Sequence, residues 1–291
     1  MGELYYTKPP IFNRPDLRRL LYIETRRTSP TNMSGNVGDT PAVMSHENHI
    51  ATGSHDAFEE WKSLELEAAR DRLGIVQAIL GLRNLARIKV EHGTNILMLD
   101  DTMSTTTYDI PFEKRPAADA SLLTTPGDGT LFAPADCVVA TVVYPHVEAV
   151  GQIHSGIRGS VKELIPQAMQ TFADQGLDPS LAAVYLAPHA RSGFQLSEAE
   201  ADEVAEIARI NGAKVTRELT RYTRPGEHGL PIMDLTQFAI QHFLQSGVRP
   251  DNIEVAPEDT LSDPTLYSDY NSVTRGVVNG RFGVITGISQ D

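Results

Sequence analysis

Two short apolar runs, Val138 to Tyr144 and Val147 to Ile153, constrain the fold of this chain more than any other stretch. The first is β-rich with almost no polar interruption, the composition of a strand buried on both faces. Pro145-His146 separates the runs, and the spacing predicts an antiparallel hairpin with its turn there. The single cysteine, Cys137, opens the first strand and His154 closes the second. Pairing the strands brings these ends together, so a thiol lies beside an imidazole.

The residues after His154 predict a helix. Ser160-Val-Lys-Glu163 reads as a capping box, and Val161, Leu164, Ile165, Ala168, Met169 and Phe172 recur at helical spacing. The helix is expected from about Ser160, with the loop Ser155 to Gly159 entering its N-terminus. Free amides and the helix dipole favour anions at such a place, and Arg158 adds a fork-shaped positive charge.

The rest of the chain alternates strand and helix signals, which gives an α/β or α+β fold, expected here as a single domain over residues 1–291. Strands are expected at 20–24, 181–187, 214–224, 253–256 and 282–288, and in two pieces across 88–100. His92-Gly93 interrupts that last pair, and glycine in a strand pattern predicts a bulge that turns His92 inward. Helices are expected over 58–73, from a Ser197-Glu200 capping box to Asn211, and from Asp234 to Gly247. A helix start is also expected in 41–48. Residues 29–41 pack turn formers densely, as a loop does near a ligand or another backbone. Residues 101–134 form a long connection, a flap or a segment with a short strand or helix near 118–124.

With 291 residues, 41% of them apolar, the chain can bury a sizeable core. A formal charge of −13 argues against nucleic acid or an anionic membrane as partner. One cysteine excludes an internal disulfide framework. No run reaches the length of a membrane span and no signal-like core opens the sequence, so a soluble cytoplasmic monomer or homodimer is expected.

Taken in order, several segments resemble the bacterial laccase-domain family, also called polyphenol oxidase and regarded as purine nucleoside phosphorylases with adenosine deaminase activity. Asn32 to Asp39 is similar to the family's Asn-Leu-Gly-x-x-Val-Gly-Asp, and His92-Gly93 to its His-Gly motif. Ala118-Asp119-Ala120 and Ala135-Asp136-Cys137 match two further motifs, and His154-Ser-Gly-Ile-Arg158-Gly159 resembles His-Ala-Gly-Trp-Arg-Gly. The chain departs from the family at Val90, where a Gln is usual, at Ile157, where a Trp is usual, and in 187–194, 259–260 and 272–276.

The resemblance implies mixed β-sheets covered by helices, a fold shared with the catalytic domain of cytotoxic necrotizing toxins. It implies His92, Cys137 and His154 as metal ligands, and two imidazoles with a thiolate leave the open fourth position of a catalytic zinc site. Copper is the alternative metal, but a true laccase needs a further copper cluster built on His-x-His pairs, and the chain has none. The implied reaction is metal-dependent purine nucleoside phosphorolysis, with adenosine deamination and methylthioadenosine phosphorolysis as extensions. Cys137, His154 and Arg158 would be catalytic, while Asn32, Arg158 and Arg275 would bind nucleoside and phosphate. Asp136 reads as a structural or ligand-orienting residue. The alternatives are a metal-free nucleophile, Cys137 with His154 as base, and a catalytically degenerate metal-binding or polyphenol oxidase-like protein.

Overall fold

In the computed structural model, residues 5–7, 20–26, 55–99, 110, 112–275 and 280–290 are described. The expected helix start at 41–48 and the turn-rich loop at 29–41, with Asn32, lie outside them.

Two sheets face each other. One has the order β1 (Tyr5–Thr7), β2 (Leu20–Arg26), β14 (Val284–Ile288), β6 (Asp128–Phe132), β3 (Asn84–Arg87). The other runs β13 (Ile253–Val255), β9 (Ala183–Leu186), β7 (Val138–Tyr144), β8 (Ala149–Ser155), β5 (Ala120–Leu123), β4 (Ile96–Leu99). Each contains parallel and antiparallel pairs. A small third sheet joins β10 (Phe194–Gln195), β12 (Pro231–Met233) and β11 (Thr223–Pro225).

Strand alternation assigns the layers, because successive side chains point to opposite faces. Tyr22, Phe132, Val139, Val143 and Val284 meet in one core between the large sheets. Ile23, Leu131 and Ile285 point the other way, onto Leu73 and Val76 of helix α1 (His55–Ile79). Val138, Ala140, Val142 and Ile153 pack against the remaining helices. These are α2 (Ile157–Val161), α3 (Leu164–Asp174), α4 (Glu198–Asn211), α5 (Ala213–Arg221) and α6 (Leu235–Gln245). A short α7 (Asp269–Arg275) precedes β14. The layers are thus helix, sheet, sheet, helices, and both faces of β7 are covered, which is why its seven residues carry no solvent face. Gly151 makes part of this closeness possible, since a Cβ there would lie 2.5 Å from the Phe172 ring. Among the described residues no helix is long and apolar enough to cross a membrane.

The hairpin forms as the apolar runs require, with Val139 opposite His154 and Val138 opposite Ser155. The helix after it differs from expectation. Ser160 is no N-cap; it sits inside α2 and its hydroxyl donates to Gly156 O at 3.0 Å. Glu163 takes a left-handed backbone (φ 55) and separates α2 from α3. The apolar periodicity nevertheless holds, because Val161, Leu164, Ile165, Ala168, Met169 and Phe172 are all buried.

Residues 213–221 are helical, against the expected strand. Val215 and Glu218 are buried and Leu219 and Tyr222 pack on the core, at helical spacing, with only Thr223 to Pro225 left to pair as β11. The Ser197–Glu200 capping box is present in full, and Asp234 Oδ1 accepts from Gln237 N at 2.9 Å to start α6.

Candidate active site

The chain crosses from one large sheet to the other through Ala133 to Cys137, between the end of β6 and the start of β7. That crossing, the end of β8, the start of α2 and residues 269 and 281 border a cavity of about 250 Å³. The size falls just below the roughly 300–1,000 Å³ range of small-molecule sites. Val90, Ile157, Phe194 and Leu235 supply its apolar wall, and His92, Cys137 and His154 its thiol and imidazoles.

Strand register places Cys137 and His154. Cys137 immediately precedes β7, and Val139 pairs with His154, so the two side chains converge at one end of the hairpin. Gly156 fits beside them for want of a side chain: a Cβ there would stand 2.5 Å from Cys137 Sγ. His154 is buried, its ring stacks parallel to Phe132 at 6.4 Å, and its Nδ1 lies 3.5 Å from Asp119 Oδ1. That is an ion-pair distance, longer than a formed hydrogen bond, and Nδ1 has no other partner among the described residues.

His92 arrives differently. It occupies an exposed turn with φ 56, not a strand bulge, so the expected geometry is corrected. A non-glycine residue in this region is uncommon and needs support from its surroundings. Asp119 gives it, with Oδ1 accepting from His92 N at 2.8 Å and Oδ2 from Gly93 N at 2.7 Å. Lys162 Nζ donates to His92 O at 2.8 Å from α2's C-terminal side. The His92 and His154 rings meet edge to face, 5.3 Å apart.

One ligand atom each from His92, Cys137 and His154 lies within 4.8 Å of the others. A tetrahedral zinc site holds its nitrogen and sulfur donors about 3.5 Å apart. The donor types therefore fit, and the donors need only a short inward adjustment to hold a metal.

Electrostatics agree with a thiolate donor. Burial opposes ionisation of Cys137, but the charge and hydrogen bond of His154, with those of His92, bring the thiol down to about 6. Burial also opposes the charged form of His154, yet Cys137 and Asp119 raise it to about 9. Asp119 is itself held below the usual carboxylate range: burial works against its charge, and the attraction of His154 with the bonds from Gly93 and His92 outweighs it.

Arg158 borders the cavity from the first turn of α2. Its Nε and Nη2 donate to the two carboxylate oxygens of Glu203 at 2.7 and 2.6 Å. This side-on pair fixes the guanidinium plane. Arg275, expected to bind substrate, is exposed at the end of α7 and is not among the residues lining the cavity. Arg281 lines it instead, bonded to Asp269 Oδ1 at 3.0 Å. The sequence offered no sign of this exchange, because the arginines are six positions apart in a segment without clear periodicity.

Asp136 has a structural role. Its Oδ1 accepts from Thr260 Oγ1 at 2.6 Å and its Oδ2 from Tyr270 N at 2.9 Å, fastening the 260 loop and the first turn of α7 at the cavity's edge. A second donor group, Glu163, Glu218 and His242, lies among α3, α5 and α6. Lys214 Nζ bonds Glu163 at 2.8 Å and Gln245 Nε2 bonds Glu218 at 2.6 Å, so protein groups already engage its carboxylates.

Known proteins with this architecture are recognisable across nearly the whole chain. The structure is similar to protein YfiH of Bacillus licheniformis (TM-score 0.72, 17% identity, 94% of each chain). It is also similar to YlmD of Geobacillus stearothermophilus (TM-score 0.74, 16% identity, 98% of this chain and 99% of that one). At these identities the likeness shows the fold. By sequence the chain is 24% identical over 253 residues to proteins named purine nucleoside phosphorylase from Mycobacterium tuberculosis and Mycobacterium bovis, covering 86% of this chain and 82% of theirs. Residues 62–288 match the family model described as multi-copper polyphenol oxidoreductase laccase, and the chain belongs to that family.

Proposed function

We propose that this cavity is the active site of a purine nucleoside phosphorylase dependent on a metal held by His92, Cys137 and His154. The observation that carries the reading is the meeting, in one small cavity, of that donor group with a guanidinium fixed in orientation by Glu203. The names of the mycobacterial relatives support nucleoside and phosphate as substrates. Two imidazoles and a thiolate favour zinc, with copper the alternative. Zinc, when bound, would supply a Lewis acid and lower the pKa of a water, the chemistry that deamination of an aminopurine requires.

The chain's own residues then divide the work. In phosphorolysis a phosphate oxygen bonds to C1′ of the ribose, the C1′–N9 bond breaks, and the purine leaves with its electron pair and takes up a proton. Phosphate must be held next to the sugar for this. Arg158 is suited to that, since Glu203 occupies Nε and Nη2 and Nη1 makes no bond among the described residues. Arg281, tethered by Asp269, adds a second guanidinium. Ile157, Phe194 and Leu235 give the planar base an apolar surface that excludes water.

One observation favours a second reading. With the thiol at about 6 and His154 at about 9, the metal-free site is a thiolate–imidazolium pair across neutral pH, with Asp119 behind the imidazole. His154 acts as base in taking the thiol's proton, Cys137 is the nucleophile and Asp119 the orienting group, while His92 helps lower the thiol but takes no part in the attack.

Chromatography of zinc-loaded protein incubated with inosine, adenosine or methylthioadenosine and phosphate tests both. The expected products are free purine and sugar phosphate. Arg158→Ala should lower phosphorolysis ten- to a hundredfold, for loss of a charge-assisted contact of roughly 1.5–3 kcal/mol, and affect deamination of adenosine much less. Intact nucleosides would overturn the phosphorylase reading. His92→Ala should abolish a metal-dependent reaction and only weaken the nucleophilic one, whose thiol keeps His154, its main lowering partner.

A further inference from the structure

The carboxylate of Asp119 stands where the two histidine ligands of the proposed site converge, and its contacts go beyond those of a core hydrogen-bond acceptor. Its side chain is fully buried, and the hydrogen bonds its carboxylate accepts come from the His92 turn while Oδ1 also faces His154. Oδ1 takes the His92 N–H at 2.8 Å and lies 3.5 Å from His154 Nδ1, while Oδ2 takes the Gly93 N–H at 2.7 Å. The backbone repeats the arrangement, with His154 N donating to Asp119 O at 2.7 Å and Asp119 N to Asn95 O at 2.9 Å. Asp119 directly precedes β5, which is paired with β8, so the rigid sheet fixes it in place.

We infer that Asp119 is the positioning residue of this site, one carboxylate that holds the left-handed His92 turn closed and keeps His154 with Nδ1 turned away from the thiol. The inference rests on the three-donor reading and not on the reaction catalysed. With Nδ1 facing the carboxylate, the other ring nitrogen of His154, Nε2, is the one left for a metal. A carboxylate behind a metal-bound imidazole fixes its tautomer and raises its basicity, and removing such a partner typically weakens metal binding by about 10- to 100-fold. Here the loss should sit at the upper end, because the same substitution frees a strained turn that carries a second ligand.

The test is Asp119→Asn in the full chain, with zinc and cobalt(II) as probes. Asparagine keeps the shape but presents an amide N–H to one of the two backbone donors. Competition against a chromophoric chelator should show zinc affinity falling about 10- to 100-fold, and the cobalt absorption bands should shift as the ligand geometry relaxes. A merely structural residue would lower the melting temperature of metal-free protein and leave affinity and spectrum alone. Affinity within threefold of the parent, with an unchanged cobalt spectrum, overturns the inference. Should the parent itself bind neither metal, the three-donor reading fails, a separate outcome.

A measurement on the unaltered protein covers the case in which Asp119→Asn does not fold. In nitrogen-15-labelled protein loaded with cadmium-113, His154 should couple to the metal through Nε2 and keep a proton on Nδ1. Coupling through Nδ1 overturns the inference.

Discussion

The proposed donors come from two unlike regions. Cys137 and His154 sit on a hairpin with both faces covered, and strand register alone sets their relation. His92 sits on an exposed turn in a left-handed conformation, held by side chains from distant parts of the chain. The hairpin half is preorganised by the same packing that stabilises the fold, whereas the turn half must be ordered separately. A site built this way has a rigid floor and one adjustable ligand beside the cavity.

The most direct way to break that contrast is to delete ligands one at a time. Structural zinc sites contribute about 10–16 kcal/mol over four ligands, so a single ligand is worth roughly 2.5–4 kcal/mol, or about a hundred- to a thousandfold in affinity. His154→Ala should lie at the upper end, since it also empties a buried position beside Phe132. His92→Ala should lie at the lower end, because part of what His92 contributes is offset by ordering its turn. Equal losses, read by chelator competition, would mean the turn is as preorganised as the hairpin.

Acid should act on the rigid half. His189 follows β9, the strand beside β7, and is completely buried. Its Nδ1 lies 2.7 Å from Ala187 O and its Nε2 2.7 Å from Thr236 Oγ1. A carbonyl only accepts, so Nδ1 carries the proton and Nε2 accepts from the Thr236 hydroxyl, which makes the ring neutral. Burial is the main cause that lowers this histidine to about 4. Its folded pKa is below the unfolded value near 6.5, so below pH 6.5 the unfolded chain takes up the proton first. Stability is therefore full above pH 6.5 and falls as pH drops towards 4, by about 3 kcal/mol at about 1.4 kcal/mol per pH unit. Urea unfolding at pH 7 and pH 4.5 checks the fall, and His189→Gln should flatten it. An unchanged slope in that variant would assign the acid sensitivity to other groups.

The same division explains what the sequence disclosed. The hairpin was legible because two apolar runs and one proline encode it locally, and the caps at Ser197 and Asp234 because both act within three residues. His92 could be named as a ligand from its motif, but its turn could not be read as one. The turn is closed by Asp119, twenty-seven positions later, and by Lys162, seventy positions later. The expected capping box at Ser160 failed for a related reason: Glu163 takes φ 55 and its carboxylate turns to Lys214 on α5. The strand expected at 214–224 failed because a buried Glu218 was not recognised as part of the helix face, where Gln245 and His242 meet it. Arg281 lines the cavity and Arg275, at the end of α7, does not, a difference that local spacing does not encode.

The smallest effect should come from the outer support of the turn. Lys162 Nζ reaches His92 O from a half-buried position, and the bond is open to solvent. Such bonds contribute about 0.5–1 kcal/mol once water competes for both partners. Lys162→Met keeps the aliphatic stem and removes only the donor. Zinc affinity should therefore fall by only about two- to fivefold, with the cobalt spectrum unchanged, because the buried carboxylate still holds both amides of the turn. The comparison with Asp119→Asn gives the experiment its meaning. If Lys162→Met matched that variant, the turn would be clamped from its solvent side, and the asymmetry between an interior anchor and an outer brace would have to be reversed.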